Sequence, residues 1–339
     1  MKFGIFDHLD RRDEPLNQFY EERLRLVEAA DEFGITGYHT AEHHWNPVGM
    51  APAPGVFLSA VAQRTKRIRF GPMGYALAFH NPLILAEEIC MLDHLSDGRF
   101  DLGIGRGISP WEMQMFGVTL PESRDLFRET FEIILQCLTS ERVTHRGQRY
   151  QYYDIPMELR PLQEPYPPLW YPSTSPAERD YIARHGMHLV TGWAPTARVK
   201  QAADDYREIW EQHKNDPLRA HSPAQPTIGS VRHVVIAETD TKAREIAAPA
   251  RDCWYKNLEH LGNMFGHRTM FVPEDYETAA RMGGVVAGSP ETVRAQLAEH
   301  IELSGINYLI LQLAFGDQTH ADEMRTLNLF ANEVMPGLT

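Results

Sequence analysis

An alternation of short apolar runs with longer amphipathic runs limits the fold of this chain more than any other feature. Eight short runs have the length of buried β-strands, and stretches with helical periodicity follow them. Because a helix must carry the chain back before a parallel strand can start, this alternation is typical of a parallel sheet. The predicted strands lie at residues 2–6, 37–41, 68–73, 100–104, 169–172, 187–191, within 227–237 and at 308–313.

Eight strand-and-helix units with right-handed crossovers close most simply into a (β/α)8 TIM barrel, although a doubly wound open sheet has the same local pattern. The length of 339 residues suits one barrel domain over 1–339. Two stretches depart from the alternation. Residues 142–153 alternate and turn at Arg146-Gly147, which predicts an added β-hairpin after the fourth helix. Residues 262–288 have no stable period and predict an inserted loop after the seventh strand.

Charge and composition exclude several classes of protein. Acidic residues exceed basic ones by 13, which opposes binding to nucleic acid. No apolar run approaches the roughly 20 residues that span a bilayer, so no membrane partner is expected. Asp7 comes too early for a secretory signal, and we expect a cytoplasmic protein. The three cysteines, Cys90, Cys137 and Cys253, form no metal-binding spacing and are expected to be buried small side chains.

Polar and aromatic side chains follow several of the predicted strands. In a TIM barrel the active site lies at the carboxyl ends of the strands, so these residues are the candidates for chemistry. They are Asp7 and His8 after strand one, Glu42-His43-His44 after strand two, Arg106 after strand four, Ser173-Thr174-Ser175 after strand five and Trp193 after strand six.

Glu42-His43-His44 is the most reactive of these groups. Successive residues leaving a strand point to opposite sides, so His43 and His44 are not expected to bind one metal ion together. One of them could act as a general acid or base near neutral pH. A solvated loop histidine is the alternative interpretation.

Ser173-Thr174-Ser175 opens a predicted helix, where free backbone N–H groups and hydroxyls suit a phosphate. Plain capping of that helix explains the same residues equally well. Arg106 and Arg124 could reach a phosphate there, although an arginine at position 124 can also be an exposed helical side chain. The glycines around Arg106 do not have the spacing of a dinucleotide-binding loop.

The chain resembles the bacterial luciferase-like flavin-dependent monooxygenases, in particular the luciferase alpha chain, over nearly its whole length. The matching residues are Glu42-His43-His44, Leu92-Asp93, Gly98-Arg99-Phe100, Gly103-Ile104, Arg106-Gly107, Phe116-Gly117, Ser123-Arg124, Arg184 to Gly186 and Trp193.

This resemblance implies a (β/α)8 barrel with a mobile loop between strand seven and its helix. It also implies reduced FMN as the cofactor, supplied by a separate flavin reductase. The implied phosphate ligands are Arg106, Arg124, Ser175 and the backbone around Thr174. The flavin ring is implied to lie beside Met73-Gly74, where the family has a non-proline cis peptide, and near Trp193. The family usually has a hydroxyl where this chain has Glu178, so that contact is not implied.

His43 matches the catalytic histidine of the family, which implies that it assists a flavin 4a-(hydro)peroxide as general acid or base, while Glu42 orients the neighbouring loop. Luciferases have a reactive cysteine where this chain has Gly105, so light emission is not implied. The expected function is a two-component monooxygenase that uses oxygen on a small, mostly apolar carbonyl or related compound. The resemblance further implies a homodimer formed through helices two and three.

Three alternatives stay open from the sequence. An F420-dependent oxidoreductase has a similar fold and site. A flavin-binding protein without turnover is the second alternative, and a metal-dependent hydrolase of the barrel class is the third.

Overall fold

The computed structural model describes residues 1–173, 175–266 and 272–338. Parallel strands in its centre are surrounded by helices. The strands are β1 (Lys2–Asp7), β2 (Gly37–Thr40), β3 (Arg69–Pro72), β4 (Tyr75–Ala76), β5 (Leu102–Gly105), β6 (Arg142–Arg146), β7 (Gln151–Pro156), β8 (Leu169–Pro172), β9 (His188–Thr191), β10 (Ile228–Ile236), β11 (Val285–Gly288) and β12 (Tyr308–Gln312).

The strand order is that of a TIM barrel. Neighbouring strands follow the order β3-β2-β1-β12-β10-β9-β8-β5-β4, so the first and last barrel strands, β1 and β12, pair in parallel. The circle is nearly closed between β3 and β5 by a single bridge, Phe70 to Phe100, and by the pairing of β4 with β5. All eight predicted barrel strands are present, and the predicted (β/α)8 fold is confirmed.

Helices cover the outside of the barrel because each presents an apolar stripe to the strands. In α5, Phe127, Phe131, Ile134 and Leu138 recur at helical spacing and are all buried. None of the described helices has both the length and the apolar content needed to cross a membrane. The helices are α1 (Leu16–Glu32), α2 (Pro54–Arg64), α3 (Pro82–Leu95), α4 (Pro110–Met115), α5 (Ser123–Thr139), α6 (Arg179–Arg184), α7 (Thr196–Gln212), α8 (Asp240–Leu258), α9 (His260–Phe265), α10 (Tyr276–Arg281), α11 (Pro290–Ser304) and α12 (His320–Leu329).

The predicted hairpin is present. Strands β6 and β7 pair antiparallel, with Arg142 opposite Pro156 and Arg146 opposite Gln151. The hairpin lies against α5, which precedes it.

The prediction of an irregular loop over residues 262–288 is wrong for most of the stretch. It contains the end of α9, all of α10 and the strand β11, while residues 267–271 lie outside the described part. Residues Val285–Gly288 pair in parallel with the second half of β10. The run Val285-Val286-Ala287-Gly288 is short and follows two glycines, so its strand pattern is visible only once β10 is known to extend past the barrel.

The position of this stretch also differs from the implied one. Strand β10 ends at Ile236 and α8 begins at Asp240, so only three residues separate strand seven from its helix. The insertion follows the helix instead of preceding it. Leu261, predicted near the end of that helix, lies instead in α9.

Two glycines bring β5 close to the end of β3. A Cβ atom added to Gly103 would lie 1.9 Å from the Pro72 carbonyl oxygen, and one added to Gly74 would lie 2.5 Å from the Ile104 nitrogen. No side chain fits at either place. The peptide bond between Met73 and Gly74 is cis, as the resemblance implies.

Candidate functional site

The most polar part of the barrel rim is built around His43, which follows β2. Its Nδ1 lies 3.1 Å from a carboxylate oxygen of Glu112, the third residue of α4. Both side chains are buried. Burial alone would lower the pKa of His43, but the charge and the hydrogen bond of Glu112 outweigh it, so the pKa is raised. Glu112 therefore favours the protonated form of His43 inside the barrel mouth.

Glu42 forms a clamp on the loops beside His43. Its carboxylate accepts hydrogen bonds from the Ala76 backbone N–H at 3.0 Å, from His44 Nε2 at 3.0 Å and from His80 Nε2 at 2.9 Å. Burial would raise the pKa of Glu42, but the charge of His80 and these hydrogen bonds lower it to about 2. The same contact raises the pKa of His80 against the effect of burial. Glu42 is a positioning residue in this arrangement.

His8, which follows β1, has the opposite surroundings. The indole N–H of Trp193 donates to Gln312 Oε1 at 3.0 Å, so the Gln312 amide nitrogen faces His8 Nδ1 at 2.9 Å. The indole N–H of Trp254 also donates to Nδ1, at 3.1 Å. Two donors at one ring nitrogen require it to be unprotonated, which leaves the proton of neutral His8 on Nε2.

The pKa of His8 also favours the neutral ring. Burial lowers it well below the usual value for histidine, and the charge of His43 lowers it further. His8 is thus a neutral imidazole that can donate from Nε2. Its Nε2 has no hydrogen-bond partner within the described ranges 1–173, 175–266 and 272–338.

Aromatic contacts join these groups to the apolar interior of the barrel. The His8 and His43 rings are 5.6 Å apart, and His8 stacks on Trp193 with centroids 5.6 Å apart. Trp193 also packs against a buried cluster that contains Phe6 and Met73. Trp193 therefore connects the His8–His43 pair to the apolar cluster that contains Met73.

A second, cationic part of the rim lies between β5, α5 and β8. Arg106 follows β5, is half-buried and makes no ion pair with any residue in the described ranges. Arg124 Nε lies 3.0 Å from one oxygen of Glu178, and Arg128 lies 3.8 Å from the other. Burial and the charge of Glu178 raise the pKa of Tyr171 to about 12, while the three arginines oppose them. All four charged groups therefore surround Tyr171.

Ser173 and Ser175 follow β8 in the sequence. The Ser173 hydroxyl accepts from the Ser175 backbone N–H at 3.0 Å, and the Ser175 hydroxyl accepts from the Ala177 N–H at 3.3 Å. Ser175 thus caps a short 3-10 turn over 176–178, followed by the six residues of α6, where a continuous helix was predicted. Thr174 lies outside the described residues.

One candidate at a strand end, Asp7, has a structural role. Asp7 is buried inside β1, where Leu9 N–H and the Tyr38 hydroxyl donate to it and Arg23 lies 3.3 Å away. It supports the fold beneath His8. Within the described parts of the chain, no group of three or more His, Cys, Asp or Glu side chains could hold a metal ion.

Several important residues of this rim were not selected from the sequence. Glu112 was missed because α4 is only six residues long, although Ser109-Pro110 is a recognisable helix start, and the Ser109 hydroxyl does cap it. Gln312 and Trp254 lie 304 and 246 residues from His8. No local pattern could join them. Arg128 lies one turn after Arg124 on α5, and this spacing was the available signal.

The residues present fit a phosphorylated flavin. An apolar and aromatic wall around Met73 and Trp193 suits a flat ring system. Arg106, which has no ion pair among the described residues, and Arg124 suit an anion, and Ser173 and Ser175 supply hydroxyl groups after β8.

Sequence comparison agrees with these features. A family model described as luciferase-like monooxygenase matches residues 1–308. An uncharacterized protein, y4wF of Sinorhizobium fredii, is 34% identical over 99% of this chain and 96% of its own length. The oxygenase component of the flavin-dependent trigonelline monooxygenase of Acinetobacter baylyi is 26% identical, covering 77% of this chain and 74% of that protein. The alkanal monooxygenase alpha chain of Photobacterium leiognathi is 23% identical over 94% and 93%.

Solved structures show the same fold. The monooxygenase RslO1 of Streptomyces bottropensis superposes with a TM-score of 0.89 at 27% identity, covering all of both chains. The oxygenating constituent of 3,6-diketocamphane monooxygenase of Pseudomonas putida, solved with FMN, gives 0.81 at 23% over 100% of this chain and 99% of that one. An F420-dependent tetrahydromethanopterin reductase of Methanopyrus kandleri gives 0.75 at 18% over the same shares.

Proposed function

This chain belongs to the luciferase-like monooxygenase family, and on that premise we propose that it is the oxygenase component of a two-component flavin monooxygenase. It uses reduced FMN and oxygen, and it oxygenates a small, mostly apolar carbonyl or related compound. A separate reductase supplies the flavin, as the name of the Acinetobacter relative as an oxygenase component suggests. We place this activity in the cytoplasm.

One observation carries this proposal more than the others. His43 is buried next to the aromatic wall and retains a raised pKa because Glu112 holds its Nδ1. An imidazole in this state can deliver a proton from Nε2 to an oxygen bound nearby, or hold that proton until it is needed. Glu42 keeps the loop in place without using its own carboxylate in the reaction, because His44, His80 and Ala76 already occupy it.

The bound reduced flavin would supply the electrons that activate oxygen. Met73, Gly74 and Trp193 would hold its ring, while Arg106, Arg124, Ser175 and the backbone at Thr174 would hold its phosphate. The apolar surroundings of His8 and Trp193 would exclude water from the reacting region. His8 could donate from Nε2 to a carbonyl oxygen of the substrate.

Titration of the purified protein with FMN, reduced FMN and F420 tests the proposal. We expect reduced FMN to bind, and its reoxidation after mixing with oxygen to be slower than that of free reduced FMN and to occur in two separable phases. Tight F420 binding without such phases would favour an F420-dependent oxidoreductase. Binding of FMN with single-phase reoxidation at the rate of free flavin would indicate a binding protein without turnover.

We also propose that two copies associate through α2 and α3. Four large apolar side chains on these helices are exposed: Val56, Ile84, Met91 and Leu95. Exposed large apolar side chains on two neighbouring helices are costly in water and favour an interface there. Light scattering should give a dimer for the native chain and a monomer for Ile84→Glu, whereas a native monomer would overturn the proposal.

A further inference from the structure

The carboxylate of Glu178 lies in the cationic part of the rim. The inference below rests on the proposed function in one respect, namely that the ligand bound there is a flavin phosphate. One oxygen lies 3.0 Å from Arg124 Nε, and the other lies 3.8 Å from an Arg128 nitrogen. The Glu178 side chain is only 11% exposed, whereas those of Arg124 and Arg128 are 49% and 45% exposed. The acid is therefore the inner member of this cluster.

The second oxygen of Glu178 is incompletely paired. It is buried and has no hydrogen-bond partner among residues 1–173, 175–266 and 272–338. The Arg128 nitrogen, at 3.8 Å, is beyond hydrogen-bond distance from it, and the Arg128 guanidinium lies over the Tyr181 ring, 4.9 Å from the centroid. A buried carboxylate oxygen without a donor is unfavourable. Only one of the two Glu178 oxygens is therefore hydrogen-bonded or closely paired. The side chain can move away from Arg124 without breaking a second hydrogen bond.

A phosphate and Glu178 would use the same cations. Arg106, Arg124 and Arg128 are the positive groups whose charges act on the Tyr171 hydroxyl, and the charge of Glu178 acts on the same hydroxyl. A phosphate bound to Arg124 would either lie beside the carboxylate or replace it. Both cases oppose phosphate binding, because two anions repel when they are close and because removal of Glu178 breaks its ion pair.

We propose that Glu178 is an internal counter-ion of the phosphate site, which pairs with Arg124 when no ligand is bound and weakens the contribution of the phosphate to flavin affinity. The ring then dominates binding. The chain accepts FMN and riboflavin with similar affinity, and it binds FMN weakly enough to exchange it with a reductase.

The experiment compares FMN with riboflavin, since the two differ in the phosphate alone. Dissociation constants for both flavins are measured by fluorescence on the native chain and on Glu178→Gln, which keeps the shape and removes the charge. We expect the native constants to lie within about tenfold of each other. In Glu178→Gln, FMN should bind roughly tenfold or more tightly, with riboflavin unchanged, because one like charge beside the phosphate is gone.

A matched control separates this local effect from net charge. Asp125 follows Arg124 on α5, is exposed, and is not within ion-pair distance of any described arginine or lysine. Asp125→Asn changes the net charge by the same amount on the same part of the surface. We expect it to alter FMN affinity by less than about twofold, since exposed charges are screened.

The outcomes distinguish this inference from the proposed function. Weaker FMN binding by Glu178→Gln would show that Glu178 orients Arg124, and would overturn the counter-ion role while leaving the flavin function intact. Equal gains in Glu178→Gln and Asp125→Asn would also overturn it. Failure of both FMN and riboflavin to bind, together with F420 binding, would instead overturn the proposed function. Inorganic phosphate should compete with FMN more strongly in Glu178→Gln than in the native chain.

Discussion

His43 and His8 are buried imidazoles whose rings lie 5.6 Å apart, yet their surroundings make them chemically different. The Nδ1 of His43 faces a carboxylate, which stabilises the protonated ring and raises its pKa. The Nδ1 of His8 faces two N–H donors, which exclude a proton there, and burial lowers its pKa. Two buried histidines with different partners therefore differ in charge state. The surroundings of His43 favour a protonated ring, and those of His8 favour a neutral ring that can donate a hydrogen bond from Nε2.

The two residues also affect stability with opposite dependence on pH. The raised pKa of His43 contributes stability below the unfolded value of 6.5, and this is lost as the pH rises through the folded pKa. The lowered pKa of His8 contributes stability above 6.5, and this is lost as the pH falls through the folded pKa. The combined contribution of the two histidines to stability is therefore greatest near pH 6.5 and falls on both sides of it.

Replacement of His43 should have the largest effect. His43→Ala removes the proton that the site holds, so we expect oxygen to be released as hydrogen peroxide and product formation to fall about 100-fold or more. The ratio of peroxide released to oxygen consumed, measured with a turned-over substrate, checks this. Thermal unfolding of the variant controls for misfolding. Unchanged coupling and rate would exclude His43 from proton transfer.

Glu112→Gln should reduce the difference in pKa between His43 and His8 by removing the charge beside His43. The neutral amide can still accept a hydrogen bond, but it no longer stabilises a charged ring, so the pKa of His43 should fall below its raised value. NMR titration of the His43 ring measures this directly, and the pH profile of flavin reoxidation should shift to lower pH. Glu87→Gln, which removes an exposed carboxylate on α3, is the control and should leave both unchanged. A raised pKa in Glu112→Gln would assign the effect to Glu42 instead.

The difference between these histidines shows how far the sequence is informative. The barrel was predictable because each strand is a recognisable apolar run in the sequence. His43 could be selected because it follows such a run. The proton states were not predictable, because they depend on Glu112, Gln312 and Trp254. These residues lie on a short helix, at the end of β12 and on α8, and only the closed barrel brings them to the rim.

The strand β11 illustrates the same limit for the fold. Its four residues pair only with the part of β10 beyond the barrel, from His233 to Ile236. Periodicity over four residues cannot distinguish such a strand from a loop. Glu178 is a similar case at the site. From the sequence, the resemblance indicates only that Glu178 replaces a hydroxyl residue of the family. The contact of Glu178 with Arg124 is visible only in the structure.

Gln312→Glu should make His8 resemble His43. A carboxylate at this position cannot donate to Nδ1 and instead favours a proton there, so the pKa of His8 should rise toward the usual value. NMR titration of the His8 ring should then show its transition at a higher pH than in the native chain. Gln312→Met removes the donor without adding charge and should raise the pKa of His8 by less. A His8 ring that stays unprotonated in Gln312→Glu would show that burial alone determines its state.

Trp254→Phe should produce the smallest change, and it tests which donor controls His8. The variant removes one N–H from Nδ1 and keeps most of the buried ring, while Gln312 continues to donate at 2.9 Å. A single hydrogen bond contributes about 1 kcal/mol, which corresponds to less than about one unit of pKa. We therefore expect a pKa of His8 that is still below 6.5 and a smaller shift than in Gln312→Glu. A larger shift in Trp254→Phe would mean that the indole, 246 residues from His8 in the sequence, is the group that keeps this imidazole neutral.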